Sequence, residues 1–400
     1  MRRWVAPFLL SFTPLLAAAA DFPFSNPRPQ WSRQSAEAEE YETVTAAISD
    51  NGSLWVVRQI KGGGTPGLWV FDRNGELQTL AASASSSSFS TRSGQMRNEL
   101  PRPFTLSLFE SAERVKRLDA LAFCDDHDPL LILQLESGRV VSAKLTGGKL
   151  ALLEELAGAG EKVVIHAAVT ADDQAIFLLG ERLGSAFLAR LSGSGKLEWR
   201  RQMVWGKSDT KGSAKGTSRL LDGFPLIRGG VQVIGERDPA KAAAQVRVLQ
   251  IDKAGDAGKE KSFPGRALAL AGGIGRDGVA LYESADPQSV LMMLSLDESL
   301  AENWREPLPI PARPADGRVS FKRAAEGGTL AAAVVDGRLW NVRLNRSGKT
   351  VWENRPEYRA RSAAALSVPE HFFLITTVDT SGGQPPPFFA LIVDKFAESE

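Results

Sequence analysis

The chain has 400 residues, of which 43% are apolar, 24% charged and 8% aromatic, which is typical of a globular protein and not of a disordered or fibrous one. Its 48 lysines and arginines nearly balance its 47 acids, so charge gives no reason to expect nucleic acid or an anionic membrane as the main partner. One cysteine excludes an intrachain disulfide framework, and three histidines argue against a histidine-rich metal centre.

The first 20 residues are predicted to be a cleavable export signal. Two arginines open it, residues 4–16 are mostly apolar, and residues 17–20 are the small residues that a signal peptidase needs. The apolar run is too short to cross a bilayer, and no later stretch reaches the roughly 18 apolar residues of a membrane helix. We therefore expect cleavage near Ala20 and a soluble, monomeric mature protein, residues 21–400, in the periplasm or outside the cell.

A strand–turn–strand pattern then repeats along the mature chain. Two apolar strands flank the turn at residues 345–348, and the second strand carries Trp352. Related copies occur at residues 68–77, 140–150, 187–199, 246–255 and 291–304. Upstream of each copy, a second pair of short apolar runs surrounds an acidic or glycine-containing turn, without helical periodicity. From Asp172 onward these turns lie roughly 43 to 57 residues apart, close to the length of a four-stranded propeller blade.

Seven such units predict an all-β chain that forms a single β-propeller domain of seven four-stranded blades. Two insertions interrupt the array, at about residues 81–116, which contain a serine-rich run, and at about 206–216. Residues 104–109 could be an extra strand or a short cover over the channel. If they belong to a further blade, the count becomes eight.

The two ends of the chain are expected to meet. The last unit, which ends with residues 388–394, leaves no room for a fourth strand that bears a tryptophan. Trp31 and its neighbours look like that missing strand, and borrowing it would remove two unpaired sheet edges. The alternative is that this N-terminal segment is a frayed tail.

Residues 335–352 carry the clearest family likeness: a strand, an Asp-Gly turn, a second strand, a glycine and a tryptophan. This pattern resembles the repeat of bacterial pyrroloquinoline-quinone-type propellers, which also occurs in cofactor-free propellers such as the propeller subunit of the outer-membrane assembly machinery. The resemblance implies a fold more than an activity. Redox members carry adjacent paired cysteines and a calcium site, whereas Cys124 stands alone here. We therefore expect a member of the cofactor-free branch.

Candidate catalytic and metal-binding residues are few. Cys124, Asp125, Asp126, His127 and Asp128 are all possible metal ligands, but neighbours on an extended chain point to opposite faces, which favours a solvated turn. His166 lies in an inner-strand pattern and is predicted to be a core histidine with its polar atoms satisfied. No Gly-x-Ser-x-Gly nucleophile elbow occurs. We predict no cofactor, no metal and no catalytic residue.

One charged pattern recurs where the second strand of most units ends. An acid lies there, in two units with an arginine beside it, and symmetric repetition would bring these residues to one mouth of the channel. They are Glu136, Glu181, Arg182, Glu236, Arg237, Glu283, Asp336 and Asp379. Polar residues also mark strand ends simply because the chain meets water there. The functional alternative is a charged funnel that recognises a peptide, a carbohydrate or a partner loop.

Two functions remain open from the sequence. The first is a non-enzymatic binding or assembly module for a protein, a peptide or a polysaccharide, which the lack of a catalytic constellation favours. The second is a hydrolase or lyase that acts on carbohydrate through funnel carboxylates as acid and base. Two such carboxyl groups about 5 to 9 Å apart, one of them with a raised pKa, would favour the enzyme.

Overall fold

The computed structural model describes residues 31–37, 41–49, 51–60, 65–78, 104–108, 113–124, 129–146, 149–203, 217–238, 244–273, 277–285, 291–314, 317–324, 327–356, 359–368, 371–379 and 389–397. Within these ranges the regular structure is entirely β, as the sequence predicts. The predicted signal peptide and the predicted insertion at residues 206–216 lie outside the described residues.

The described strands pair with antiparallel neighbours throughout. The first thirteen are β1 (Trp31–Glu37), β2 (Tyr41–Ile48), β3 (Leu54–Ile60), β4 (Gly67–Phe71), β5 (Phe104–Thr105), β6 (Val115–Phe123), β7 (Pro129–Leu135), β8 (Val140–Thr146), β9 (Lys149–Ala157), β10 (Val163–Thr170), β11 (Ile176–Arg182), β12 (Ser185–Leu191) and β13 (Leu197–Met203). The others are β14 (Ser218–Leu226), β15 (Gly230–Arg237), β16 (Gln245–Ile251), β17 (Ala257–Ala271), β18 (Gly278–Ser284), β19 (Leu291–Leu296), β20 (Glu302–Pro307), β21 (Val319–Arg323), β22 (Thr329–Val335), β23 (Arg338–Leu344), β24 (Thr350–Asn354), β25 (Ala360–Val368), β26 (His371–Asp379) and β27 (Phe389–Ala397).

These strands form sheets in chain order, with one exception at the ends. Among the described residues, five sheets have four strands: β2–β5, β6–β9, β10–β13, β21–β24, and β25–β27 with β1. The sixth sheet contains the seven strands β14 to β20.

The seven-stranded sheet arises because β17 is long enough to pair with strands of two successive groups, β16 and β18. Its first part pairs with β16 as far as Pro264, and its second part pairs with β18 from Gly265 onward. Gly265 has a φ of +140°, and a Cβ there would collide with the carbonyl oxygen of Glu283. Glycine therefore allows one strand to pass from one group of strands to the next.

The first strand of each group lies at the inner edge of a ring. We call β2, β6, β10, β14, the second part of β17, β21 and β25 the inner strands. Each of them contacts the next in that order, and β25 contacts β2, which closes the series. Clusters of buried apolar side chains fill the spaces between neighbouring groups, and one of them joins Leu54 and Trp69 near the N terminus to Phe373 and Ile375 near the C terminus. The arrangement is propeller-like.

β1 supplies the fourth strand of the last sheet. It runs antiparallel to β27, with Trp31 opposite Lys395 and Glu37 opposite Phe389. The ammonium of Lys395 donates a hydrogen bond to the carbonyl oxygen of Arg73, in the first group, at 2.9 Å. The predicted pairing between the N-terminal segment and the C-terminal strand is therefore present, and it covers the edge of β27.

The fourth strand of the first sheet differs from the repeat pattern. That pattern places it directly after Gly75, but Leu77 makes only an isolated bridge to Phe71. Instead, β5 pairs with Gly67 and Leu68. The segment predicted to be an extra strand or a cover thus contributes to an existing sheet, and the insertion interrupts that sheet. The next sheet begins with β6 at Val115, close to the predicted end of this insertion.

The recurrent turns are organised by a side-chain oxygen at their first residue. Oδ1 of Asp252 accepts hydrogen bonds from the backbone N–H groups of Ala254 and Asp256, both at 2.9 Å. Asp72, Asp297 and Asn345 repeat this pair of bonds. Such side chains favour turns because they satisfy neighbouring backbone donors. We call the end of the sheets that carries these turns the turn end.

The recurrent tryptophans join one group of strands to the next at the turn end. The indole Nε1 of Trp199 donates to the carbonyl oxygen of Lys253 at 3.1 Å, and that of Trp304 donates to Arg346 at 2.9 Å. Each ring lies against the glycine of the turn that it reaches: a Cβ on Gly255 or Gly348 would come within 2.8 Å of the ring. The repeat therefore needs both the tryptophan and the glycine because they meet across neighbouring groups.

Candidate functional site

Charged residues concentrate at the opposite end of the sheets. Arg219 on β14 stands opposite Glu236 on β15, and Arg266 on β17 stands opposite Glu283 on β18. At the equivalent positions of two other groups, Arg117 on β6 stands opposite Gln134 on β7, and Val164 on β10 stands opposite Glu181 on β11. We call this end, defined by Arg117, Val164, Arg219 and Arg266, the charged end. The acids predicted at the channel mouth lie one strand away from the inner strands, and arginines lie on the inner strands themselves.

The predicted mouth residues do not share one position. Glu181, Glu236, Glu283 and Asp379 lie in second strands, whereas Glu136 and Asp336 lie in the turns that follow. Glu136 and Asp336 are exposed, and Asp336 opens a tight turn with a φ of +50°. Of the predicted arginines, Arg182 donates to Glu161 at 3.0 Å, and Nε of Arg237 lies 3.6 Å from Oδ2 of Asp238.

Glu236 is fully buried and serves as an acceptor for two neighbours. Its Oε1 accepts from Nε of Arg219 at 2.7 Å and lies 2.5 Å from Nη2 of the same arginine. Its Oε2 accepts the backbone N–H of Ala267 on β17 at 3.1 Å. This carboxylate therefore fixes the Arg219 guanidinium and joins β15 to the neighbouring inner strand.

Glu283 occupies the equivalent place in the next group, with a different partner. Its Oε2 accepts from Nη2 of Arg313 at 2.9 Å, and 12% of its side chain is exposed compared with 54% of the arginine. Arg313 comes from the segment between β20 and β21. Arg266, which stands opposite Glu283, is exposed and has no ion-pair partner among the described residues.

Asp119 is a second buried carboxylate. It lies on the inner strand β6, and no sequence pattern predicted it. Asp119 sits at a bulge in β6 between Leu118 and Ala120, and its Oδ1 accepts from Nε of Arg117 at 2.5 Å. Only 1% of its side chain is exposed, and its buried Oδ2 has no hydrogen-bond partner among the described residues. Burial raises the pKa of Asp119, against the lowering effect of Arg117 and of the Ile165 backbone.

His166 occupies the corresponding bulge of β10, between Ile165 and Ala167. Its Nε2 is buried and has no hydrogen-bond partner among the described residues, so the prediction of a fully satisfied core histidine is wrong at this atom. Burial, together with the smaller effect of the positive charges of Arg219 and Arg117, lowers the pKa of His166 to about 4. The imidazole is therefore neutral at pH 7.

Arg58 is a further cation, on the second strand of the first group, β3. Its guanidinium lies over the ring of Trp69, 5.5 Å from the centroid. Burial lowers the pKa of Arg58 to about 10, so it still carries its charge at pH 7.

The acidic run after β6 lies mostly outside the described residues. Cys124 is buried, with 8% of its surface exposed, while Asp125, Asp126, His127 and Asp128 lie outside the described residues. Among the residues described, no group of three or more histidine, cysteine or acidic side chains is placed to hold an ion. In the same residues, no helix is long and apolar enough to span a bilayer.

The turn end has a groove of its own. It has a volume of about 340 Å³ and is lined by Leu226, Arg228, Gln250 and Asp256, among others. Ile227 at its edge is 56% exposed. None of the buried unpartnered polar atoms in the described residues belongs to this lining, in contrast to the charged end.

Sequence reasoning found the acids of the charged end but missed the residues beside them. Arg117, Arg219 and Arg266 each precede the small apolar run that opens a unit, a recurrence that is visible in the sequence. The bulges that hold Asp119 and His166 leave no such signal, because a bulge depends on pairing with the neighbouring strand.

Comparisons with known proteins identify no family. No protein-family model and no curated protein matches the chain. Among solved structures, a chain of the mitotic checkpoint complex is 11% identical, with a TM-score of 0.55 and 100% of both chains covered. The AfRom2 CNH domain is 8% identical, with a TM-score of 0.51 and coverage of 92% of this chain and 98% of that chain.

A chain from a study of two prolyl endopeptidases is 11% identical, with a TM-score of 0.52. That match covers 92% of this chain but only 51% of the endopeptidase chain. At such identities the likeness concerns the fold alone. The chain is similar to these structures in having a propeller-like arrangement of antiparallel sheets.

Proposed function

We propose that this protein is an exported β-propeller of seven blades that binds a protein or polymer partner and catalyses no reaction. Within the described residues, the strands form seven groups of four once β17 is divided at Gly265, which supports the blade count. The repeat and the single cysteine support the cofactor-free branch of the pyrroloquinoline-quinone-like propellers. Residues 1–20 support export to the periplasm or beyond.

The ion pairs of the charged end favour binding over catalysis as the function. A general acid or base must reach the substrate and exchange a proton with it. Glu236 is fully buried, with its oxygens occupied by Arg219 and Ala267, and Glu283 is held by Arg313. These carboxylates therefore position arginines, which suits recognition of a charged partner more than acid–base chemistry.

One observation favours the alternative, a hydrolase or lyase acting on carbohydrate. Burial raises the pKa of Asp119, as a catalytic acid would require. However, only 1% of the Asp119 side chain is exposed, so a sugar bond cannot reach it without movement of β6. The binding module therefore remains the better-supported function.

The proposal is tested by partner capture with the mature chain, residues 21–400, from a periplasmic extract. We expect a partner that the wild type retains and the double variant Arg182→Gln/Arg237→Gln loses, because both side chains are partly exposed at the charged end. The matched control is Arg228→Gln, an exposed arginine at the turn end. Capture that the double variant leaves unchanged, or cleavage of a polysaccharide by the pure protein, would contradict the proposed function.

A further inference from the structure

Four neighbouring inner strands present equivalent positions at the charged end. Arg117, Arg219 and Arg266 occupy three of them, and Val164 on β10 occupies the fourth. The four strands all bulge two residues further along, and in β10 the bulge holds His166, where that of β6 holds Asp119. The imidazole thus stands between the strands that carry Arg117 and Arg219, because β10 contacts both β6 and β14.

His166 brings an unused hydrogen-bonding atom to this place. Its Nε2 is buried and has no partner among the described residues. A buried polar atom without a partner costs free energy, which a ligand atom can recover. Since burial, with a smaller contribution from the charges of Arg219 and Arg117, keeps the pKa of His166 low, the ring is neutral and offers one N–H donor.

The charges around His166 are arranged with the cations outward. Asp119 on β6 is 1% exposed and Glu236 on β15 is fully buried, whereas the side chains of Arg117 and Arg219 are 36% and 30% exposed. Each buried carboxylate holds its arginine on one side and leaves the rest of the side chain partly open to solvent. Arg266 adds an exposed guanidinium without an ion-pair partner in the described part of the chain.

We infer that Arg117, His166, Arg219 and Arg266 form a binding site for the carboxylates of an acidic peptide segment. This site rests on the proposed function and names the chemistry of the partner. A guanidinium matches a carboxylate through two parallel N–H···O bonds, and the imidazole N–H would supply a further donor. The cations are partly neutralised by Asp119 and Glu236, which suits a singly charged carboxylate better than a doubly charged phosphate.

An exposed leucine at the same end favours a peptide over an acidic polysaccharide. Leu183 is 63% exposed and has a φ of +50°, in the tight turn that follows Arg182. The equivalent turn after β22 has Asp336 and Gly337, the residue types that this conformation prefers. Leucine does not stabilise this turn conformation. Contact with an apolar side chain of a partner would explain why an exposed leucine occupies it.

The test uses N-acetyl-triglutamate as the probe, titrated into the full mature chain. We expect the imidazole ¹⁵N signals of His166, assigned with His166→Gln, to shift on binding. Arg266→Gln should weaken affinity by about tenfold, because it removes one charge-assisted contact. Arg266 is exposed, so this variant keeps the fold. Arg228→Gln, the same charge change at the turn end, should leave affinity unchanged.

Three results would overturn the inference. They are the absence of a His166 shift, equal weakening by Arg228→Gln and Arg266→Gln, and binding of trigalacturonate or inorganic phosphate at this site without binding of triglutamate. If triglutamate fails while the double variant Arg182→Gln/Arg237→Gln still loses a captured partner, the carboxylate site is wrong and the proposed function stands. If both fail, the charged end is not a binding surface.

Discussion

The two ends of the sheets solve different physical problems. At the turn end, Asp252 organises its own turn, and Trp199 meets the glycine of that turn from the preceding group. At the charged end, a buried carboxylate joins neighbouring strands, as in the bonds of Glu236 to Arg219 and to Ala267 on β17. Buried polar atoms without a partner in the described residues occur at both ends: Nε1 of Trp55 and Nε2 of Gln232 at the turn end, and Nε2 of His166 and Oδ2 of Asp119 at the charged end.

The surroundings of the unpartnered atoms distinguish the two ends. Buried polar atoms are normally paired, because an unpaired one loses its bonds to water without replacement. At the charged end, Nε2 of His166 lies on the inner strand between those of Arg117 and Arg219, whose side chains are partly exposed. This combination of an unpartnered atom with partly exposed cations favours the charged end as the place for an anionic ligand.

The largest expected effect concerns the carboxylate that holds the charged end together. Glu236→Ala should lower the free energy of unfolding by about 3–5 kcal/mol, because it leaves Arg219 without its ion pair and the Ala267 N–H without an acceptor. Glu136→Ala, at an exposed acid in a turn, should change stability by no more than about 0.5 kcal/mol. Denaturant unfolding of both variants measures the difference. Equal losses would mean that burial does not distinguish these acids.

The second effect is a pH dependence at the same end. The pKa of His166 is about 4 in the folded chain against an ordinary value of 6.5, so the unfolded chain takes up a proton first as pH falls. Stability should therefore be lost between pH 6.5 and pH 4, by about 3 kcal/mol in full. Asp119, whose pKa is raised, changes stability with pH in the opposite direction, but it does so both in the wild type and in the variant His166→Gln. His166→Gln should flatten the loss, and an unchanged profile would show that His166 titrates freely.

The smallest effect isolates the tryptophan contact of the turn end. Gly348 and Gly337 have similar φ values of +77° and +71°, but a Cβ on Gly348 would lie 2.8 Å from the Trp304 ring, whereas one on Gly337 meets nothing within 4 Å. Gly337→Ala should cost about 1 kcal/mol for the left-handed backbone alone. Gly348→Ala should cost about 1–3 kcal/mol more because the ring must move. Equal melting temperatures for the two variants would show that the contact between Gly348 and Trp304 does not contribute to stability.

The repeat could be read from the sequence because its signals are local. An Asp or Asn followed three residues later by Gly marks a turn by its own backbone chemistry, and Trp199 and Trp304 recur at fixed distances from such turns. The exception at Leu300 shows the limit, since this residue adopts a φ of +63° without glycine and is buried. The first sheet shows a second limit. Phe104 pairs with β4 across an insertion whose length and path no local pattern predicts.

The sequence by itself determined that the chain is all-β, that its units repeat, that its acids gather where second strands end, and that its N-terminal segment can complete the last unit. Those properties follow from alternation, turn residues and spacing, which act over a few positions. Only the tertiary structure decided which acids are buried, that arginines occupy the inner strands opposite Glu236 and Glu283, and that a bulge brings His166 between Arg117 and Arg219. Burial, register and bulges depend on which distant strand lies alongside, and that is settled by packing and not by local sequence.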